Sequence, residues 1–92
     1  MSLRRVIVEL PDRPGSLGQV TTLLGRLGVD IRQMRVLSRD GAVARDEFVV
    51  SVPGVVIDRS LPALLEEIQG VRVLAIAPTD ADSGIAGAIV VA

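Results

Sequence analysis

A chain of 92 residues, of which 49% are hydrophobic, suffices for one domain with a modest core and is too short for an enzyme with a separate substrate lobe. Its formal net charge is −1, and it contains no Cys, His, Lys, Tyr or Trp. The absence of Cys excludes disulfides and thiolate metal sites. The absence of all five residue types removes the usual catalytic bases and most nucleophiles. We therefore expect no enzyme, no cofactor or metal, and no nucleic-acid binding, because no basic stripe is present.

The first predicted unit is a strand over residues 3–10, followed by a tight corner and a helix. Val6, Val8 and Leu10 alternate onto one face of the strand. Ser16 and Gln19 have the spacing of a capping box at the helix start. Backbone N–H groups at such a start suit a carboxylate or phosphate. The helix presents one apolar arc, formed by Leu17, Val20, Leu23, Leu24 and Leu27.

The next predicted unit is a β-hairpin. Gly28 ends the helix, strands cover residues 31–39 and 43–52, and Asp40-Gly41 is typical of a two-residue hairpin loop. This loop predicts the cross-strand pairs Ile31 with Val50, Gln33 with Phe48, and Arg35 with Asp46, and it directs Ile31, Phe48 and Val50 to the core.

A second helix is predicted after Asp58-Arg59-Ser60, with Pro62 in its first turn and Gly70 at its end, and a last strand covers residues 71–77. The β-α-β-β-α-β order predicts an α+β, ferredoxin-like fold: a four-stranded antiparallel sheet with two helices on one face. We assign residues 1–78 to this domain. Residues 79–92 form a linker and an apolar tail, which is either an added strand, a partner-packing segment or the start of a further segment.

The stretch Asp12-Arg13-Pro14-Gly15-x-Leu17-x-x-Val20, followed by Leu24 and by Gly28-Val29-Asp30-Ile31, resembles the ACT domain, a small-molecule-binding regulatory domain of amino-acid metabolism. The resemblance covers roughly residues 3–78, and Asp30 stands where the family more usually has Asn. It implies that an amino acid or a similar small carboxylate binds between the two subunits of a homodimer, and that binding is transmitted to a partner or fused metabolic enzyme.

By the same resemblance, the ligand carboxylate is held by backbone amides of Gly15, Ser16 and Leu17, and its amine or side chain by Asp12 and the Asp30-Ile31 step. The predicted ligand-binding residues all lie in these two segments: Asp12, Arg13, Pro14, Gly15, Ser16, Leu17, Asp30 and Ile31.

Three of these residues also have an ordinary structural explanation. Gly15 serves the turn, Asp12 bonds the backbone of its own loop, and Asp30 is a polar residue between a helix and a strand. Gly18 and Gly25, seven residues apart on one helix flank, indicate either a close helix contact in a dimer or plain surface glycines. The alternative function is therefore a ligand-free interaction and dimerisation domain of the same fold.

Two other classes with this strand order are disfavoured. An RNA recognition motif needs exposed aromatic side chains on its central strands, and Phe48 is the single aromatic residue. A heavy-metal transport domain needs a pair of Cys residues. No apolar run approaches the ~20 residues of a membrane span and no secretory leader is evident, so we expect a cytoplasmic protein that does not bind membranes.

Overall fold

The computed structural model describes residues 2–54 and 60–80, together with the backbone of residues 89–90. Its strands form one antiparallel sheet in the order β4-β1-β3-β2-β5. The predicted β-α-β-β-α-β order and ferredoxin-like fold are confirmed by the first four strands and two helices. The elements are β1 (Ser2–Pro11), α1 (Ser16–Arg26), β2 (Asp30–Arg39), β3 (Val43–Val52), α2 (Ser60–Leu65), β4 (Arg72–Pro78) and β5 (Ile89–Val90).

The core lies between one face of the sheet and the two helices. On β1 the alternating side chains of Val6, Val8 and Leu10 are buried, as predicted. Both helices pack against this same face, because their buried residues join one cluster with alternate residues of β1 and β3. The cluster members from the helices and from β3 are Val20, Leu24, Leu61, Leu65, Phe48, Val50 and Val52.

The two ends of α1 differ in how well the sequence predicted them. At the carboxyl end, the N–H of Val29 donates to Leu24 O (2.9 Å) and that of Gly28 to Gly25 O (3.1 Å), the bonds of a Schellman motif at the predicted glycine. At the amino end, the predicted capping box is wrong. Gly15 is the N-cap residue, with φ 88°, and no side chain of the described residues caps the helix, because Ser16 is already its first residue.

Helix α2 is shorter than predicted. Pro62 lies in its first turn as expected, but the α-helix ends at Leu65 rather than at Gly70. From Glu67 onward the backbone N–H groups donate three residues back, as in Glu67 to Leu64 O (3.2 Å), so the chain tightens into successive turns. Residues 55–59, which include the predicted lead Asp58-Arg59, lie outside the described residues.

The β2–β3 hairpin is confirmed, but its register is only partly as predicted. The loop is Asp40 to Ala42, three residues rather than two. Ile31 does pair with Val50, but shifts after Ile31 and after Val36 place Arg35 opposite Glu47 instead of Asp46. The pairing of β1 with β3 has no shift, so β3 is held in place by β1 and the bulges fall on β2.

Strand β5 pairs with β2 at Gln33 and Met34. The rest of the predicted linker and apolar tail, residues 81–88 and 91–92, lies outside the described residues. Neither helix within the described ranges has the length and apolar character needed to cross a membrane.

Candidate functional site

The corner between β1 and α1 is tied to the β2–β3 hairpin by its backbone. The N–H of Asp12 donates to Ala42 O (3.0 Å), which continues the β1–β3 ladder past the end of β1. The N–H of Ser16 donates to Arg13 O at 3.3 Å, and that of Gln19 donates to Gly15 O at 3.0 Å. These bonds hold the first turn of α1 above the end of the sheet.

A bidentate ion pair closes the same corner. Arg39, the last residue of β2, donates from Nε and Nη2 to the two carboxylate oxygens of Asp12, at 3.0 and 2.9 Å. The pair raises the pKa of Arg39. The larger cause is the hydrogen bond to Asp12, and the smaller is the negative charge of Asp12. The Asp12 side chain is 18% exposed and that of Arg39 66%. The charge of Asp12 is therefore compensated within the chain.

Beneath the corner lies a cavity of about 190 Å³ between α1 and the ends of β1, β2 and β3. Its polar lining comes from the corner, from β2 and from β3: Asp12, Arg13, Ser16, Arg39 and Asp46. Its apolar lining is aliphatic throughout: Leu10, Pro11, Leu17, Met34, Val36 and Ala44. The cavity thus combines charges of both signs with walls that favour an apolar group.

Asp46 is a charged residue at an inward position of β3. It lies opposite Val36 on the face that also carries Phe48, and it is 4% exposed. Its Oδ1 accepts no hydrogen bond within the described part of the chain. Burial raises the pKa of Asp46, and the nearby charge of Asp12 adds to the effect, while Arg39 opposes it. A buried carboxylate oxygen without a partner is costly, so this position calls for a donor from outside.

The structure brings half of the predicted site residues together. Asp12, Arg13, Ser16 and Leu17 line the cavity, and Pro14 and Gly15 form the exposed turn beside it.

Asp30 and Ile31 lie elsewhere. They occupy the opposite end of β2 from Arg39, roughly 30 Å from the corner at about 3.3 Å per residue. Asp30 is exposed and forms an ion pair with Arg32 at 3.7 Å. Within one chain, these two segments do not share a site.

Arg39 and Asp46 are not among the residues predicted from the sequence. Arg39 is 27 residues from Asp12, and no local pattern links them. A signal for Asp46 is present in the sequence, because it is a carboxylate among the inward residues of an alternating strand, but the predicted pair with Arg35 accounts for that carboxylate without a site. Arg35 instead donates from Nε to Glu47 Oε1 (2.9 Å) on the opposite face of the sheet.

A second concavity lies between α1 and α2, with a volume of about 510 Å³. Its charged side chains, Arg26 and Glu67, are exposed, and Gly18 lines its wall. The residues that the structure describes in this groove include no buried polar group that would orient a ligand. Among residues 2–54 and 60–80, no group of three acidic side chains is arranged to hold a metal ion.

A family model described as ACT domain matches residues 4–73. The match extends from β1 into β4, so it includes the corner, α1 and the cavity, and it covers more than half of the chain. Comparison with curated proteins yields no match.

Proposed function

The chain belongs to the ACT domain family, whose members are in general small-molecule-binding regulatory domains, and we propose that it senses an amino acid for a partner or fused enzyme of amino-acid metabolism. The observation that carries the proposal is the corner cavity. It is lined by the guanidinium groups of Arg13 and Arg39, by aliphatic side chains, and by Asp46, whose Oδ1 has no hydrogen-bond partner in the described chain. An amino acid carries both charges close to its side chain and matches this combination.

The carboxylate of the ligand is assigned to the upper side of the cavity. Arg13 is exposed at its mouth, and α1 begins there with the positive end of its dipole. The N–H groups of Ser16 and Gln19 are already bonded to the corner. That of Leu17, which lines the cavity, makes no such loop bond in the described chain, so it is the donor we assign to the carboxylate.

We further propose that the ligand is shared by two chains. Antiparallel association of two β2 edges about a two-fold axis reverses one edge relative to the other, so the Asp30 end of one chain meets the Arg39 end of its partner. Strand β5 pairs with Gln33 and Met34 near the middle of this edge, so it must leave β2 for that dimer to form.

Calorimetric titration of the full chain with each of the twenty standard amino acids tests the sensor function. We expect saturable binding of a small set with short aliphatic side chains, and an oligomeric state, measured by analytical ultracentrifugation, that shifts to dimer with ligand. A folded chain that binds none of the twenty would contradict the proposal.

The contribution of the second chain has its own test. Asp30→Ala is expected to weaken amino-acid binding and ligand-dependent dimerisation together, because Asp30 reaches the corner only across the dimer. Arg32→Ala is the matched control, since it removes the ion-pair partner of Asp30 and keeps the carboxylate. Equal affinity of Asp30→Ala and the parent chain would remove Asp30 and the two-chain site from the proposal.

A ligand-free dimerisation domain is the second candidate. The observation in its favour is the exposure of Val36 (50%) and Leu37 (42%) near the Arg39 end of β2. This function predicts a dimer that forms without any amino acid and that Val36→Ser and Leu37→Ser weaken. Ligand-independent dimerisation without amino-acid binding would favour it over the sensor.

A further inference from the structure

We infer that Asp46 recognises the ammonium group of the ligand, so that the corner cavity selects a zwitterion with a short aliphatic side chain over other small carboxylates. This inference rests on the proposed function and assigns the residue that determines its specificity. It departs from the family resemblance, which placed the amine at Asp12 or at the start of β2.

Asp12 is poorly suited to the ammonium group. Both of its oxygens accept hydrogen bonds from Arg39, at 2.9 and 3.0 Å, in the bidentate geometry that carboxylate and guanidinium groups prefer. An ammonium group bound to Asp12 would have to displace Arg39 or share its acceptors. Asp30 is about one strand length away within the chain, and where the proposed dimer brings the partner's Asp30 to the corner, its carboxylate is exposed and already paired with Arg32.

Asp46 has the opposite properties. Its side chain lies on the helix-facing side of β3 and lines the cavity, and the residue is 4% exposed. Its Oδ1 accepts no hydrogen bond from the residues that the structure describes. A bound ammonium group would donate a hydrogen bond to this buried oxygen. The cost of burying an oxygen without a partner is then replaced by a charge-assisted hydrogen bond.

The charges around Asp46 leave its negative charge dominant in the lower part of the cavity. The charged groups that face it are Asp12 from the corner and Arg39 from β2, which form their own neutral pair, and Arg13 at the mouth. A zwitterion therefore finds a negative group at depth and a positive group at the entrance. A carboxylic acid without an ammonium group interacts favourably only with the positive group at the entrance.

The size and walls of the cavity restrict the side chain. The cavity has a volume of about 190 Å³, enough for a small organic molecule. Leu10, Leu17, Met34 and Val36 provide aliphatic contacts. These aliphatic contacts favour an amino acid with a short aliphatic side chain over one with a charged side chain.

An inorganic cation fits Asp46 less well than an ammonium group. Hard cations require several oxygen ligands at short distance. The acidic groups in the described part of the chain do not form such a set. An ammonium group needs fewer acceptors and fits a single carboxylate oxygen.

The experiment compares matched ligands and matched variants by calorimetry. The ligands are alanine and valine, and the corresponding 2-hydroxy acids, lactate and 2-hydroxyisovalerate, in which a hydroxyl replaces the ammonium group. The variants are Asp46→Asn and, as a control with the same change in net charge, Glu67→Gln on the exposed groove between the helices. Circular dichroism establishes that each variant is folded, and Asp46→Leu provides a second variant if Asp46→Asn is not.

We expect the parent chain to bind the better of the two amino acids about 10- to 100-fold more tightly than its hydroxy acid, the range expected for one hydrogen bond to a charged group. Asp46→Asn should lose this preference while its affinity for the hydroxy acid changes little, and Glu67→Gln should retain it. Affinity of the parent chain should also fall as acid protonates Asp46, whose pKa is raised by its burial, and this fall should be absent in Asp46→Asn.

The outcomes separate the inference from the function on which it rests. If the parent chain binds none of the twenty amino acids, the proposed function fails; if it binds others but neither alanine nor valine, the short aliphatic selectivity is wrong. If it binds amino acids and Asp46→Asn retains the preference over hydroxy acids, the function stands and the assignment of Asp46 is wrong. Binding that depends on added Na⁺ or K⁺, rather than on the ammonium group, would also overturn the assignment.

Discussion

At the corner between β1 and α1, one carboxylate holds the ends of two strands together. The backbone of Asp12 is bonded to Ala42, and its side chain is bonded twice to Arg39. The aspartate of this sequence motif thus has a structural task in addition to lining the cavity. Because Arg39 is largely exposed, the pair adds little to global stability and acts mainly by shaping the corner.

A second residue constrains this corner from the side of α2. Gly70 has φ 85°, and a Cβ atom placed on it would lie 2.6 Å from Pro11 Cγ. Gly41 has a similar backbone, with φ 91°, but no atom of the described chain lies within 4 Å of its Cβ position. The two glycines therefore share the backbone requirement and differ in the close contact.

We predict that Gly70→Ala destabilises the domain more than Gly41→Ala does. The left-handed backbone alone should cost about 1–2 kcal/mol in both variants, and overpacking against Pro11 should add about 1–3 kcal/mol for Gly70→Ala. Urea unfolding followed by circular dichroism measures both. Equal losses would mean that Pro11 moves aside at no cost.

At the scale of the elements, the register of β2 on β3 decides which carboxylate has an arginine partner. Glu47 lies on the face away from the helices, where Arg35 Nε is 2.9 Å and Arg5 Nε 3.5 Å from its oxygens. The Glu47 side chain is 7% exposed, so these contacts compensate a buried charge. In a hairpin without register shifts, Arg35 would lie opposite Asp46 instead.

We predict that Arg35→Ala lowers the free energy of unfolding by about 1–3 kcal/mol, because it removes a charged donor from the buried Glu47. Double-mutant cycles assign the partner. Arg35 and Glu47 should show a coupling of about 1 kcal/mol, within the usual range for residues in contact, and Arg35 and Asp46 should show none.

The control for this cycle is Arg32→Ala, which changes an exposed ion pair and should alter stability by less than about 0.5 kcal/mol. A measured coupling free energy between Arg35 and Asp46 would indicate the regular register and contradict the bulges in β2.

At the scale of the whole molecule, two aspartates give stability opposite dependences on pH. The pKa of Asp40 is lowered by hydrogen bonds from the N–H groups of Val43 and Ala42, so its stabilisation is present above its ordinary pKa and is lost as the pH falls through the lowered value. Burial raises the pKa of Asp46 above 3.8, so the ionised carboxylate destabilises the fold at neutral pH. This destabilisation is relieved as the pH falls through the raised pKa and the carboxylate becomes protonated.

We therefore predict that Asp46→Asn is more stable than the parent chain at neutral pH and that the gain shrinks on acidification. Asp40→Asn should be less stable at neutral pH, and its deficit should persist until the pH falls below the ordinary value. Urea unfolding over a pH series measures both differences. An Asp46→Asn variant that is destabilised at neutral pH would show that Asp46 is a structural residue, contrary to its assignment as a ligand-binding one.

Much of this molecule follows from local sequence. Alternation on β1 predicted its buried face, Gly28 predicted the end of α1, and the order of strand and helix patterns predicted the ferredoxin-like fold. These signals depend on neighbours within a few positions, where backbone geometry and side-chain periodicity act directly. The motif from Asp12 to Leu17 likewise indicated the corner and the family that the match over residues 4–73 confirms.

The tertiary structure decided which charges meet. Strand β3 pairs in a regular ladder with β1, so the shifts fall on β2, and they move Arg35 away from Asp46 and onto Glu47. Arg39 reaches Asp12 across 27 residues by the same folding of the hairpin. Register and ion pairing result from competition among distant segments, which no local pattern encodes. For that reason the sequence alone indicated the corner, and only the fold placed beneath it a carboxylate oxygen of Asp46 that no described residue bonds.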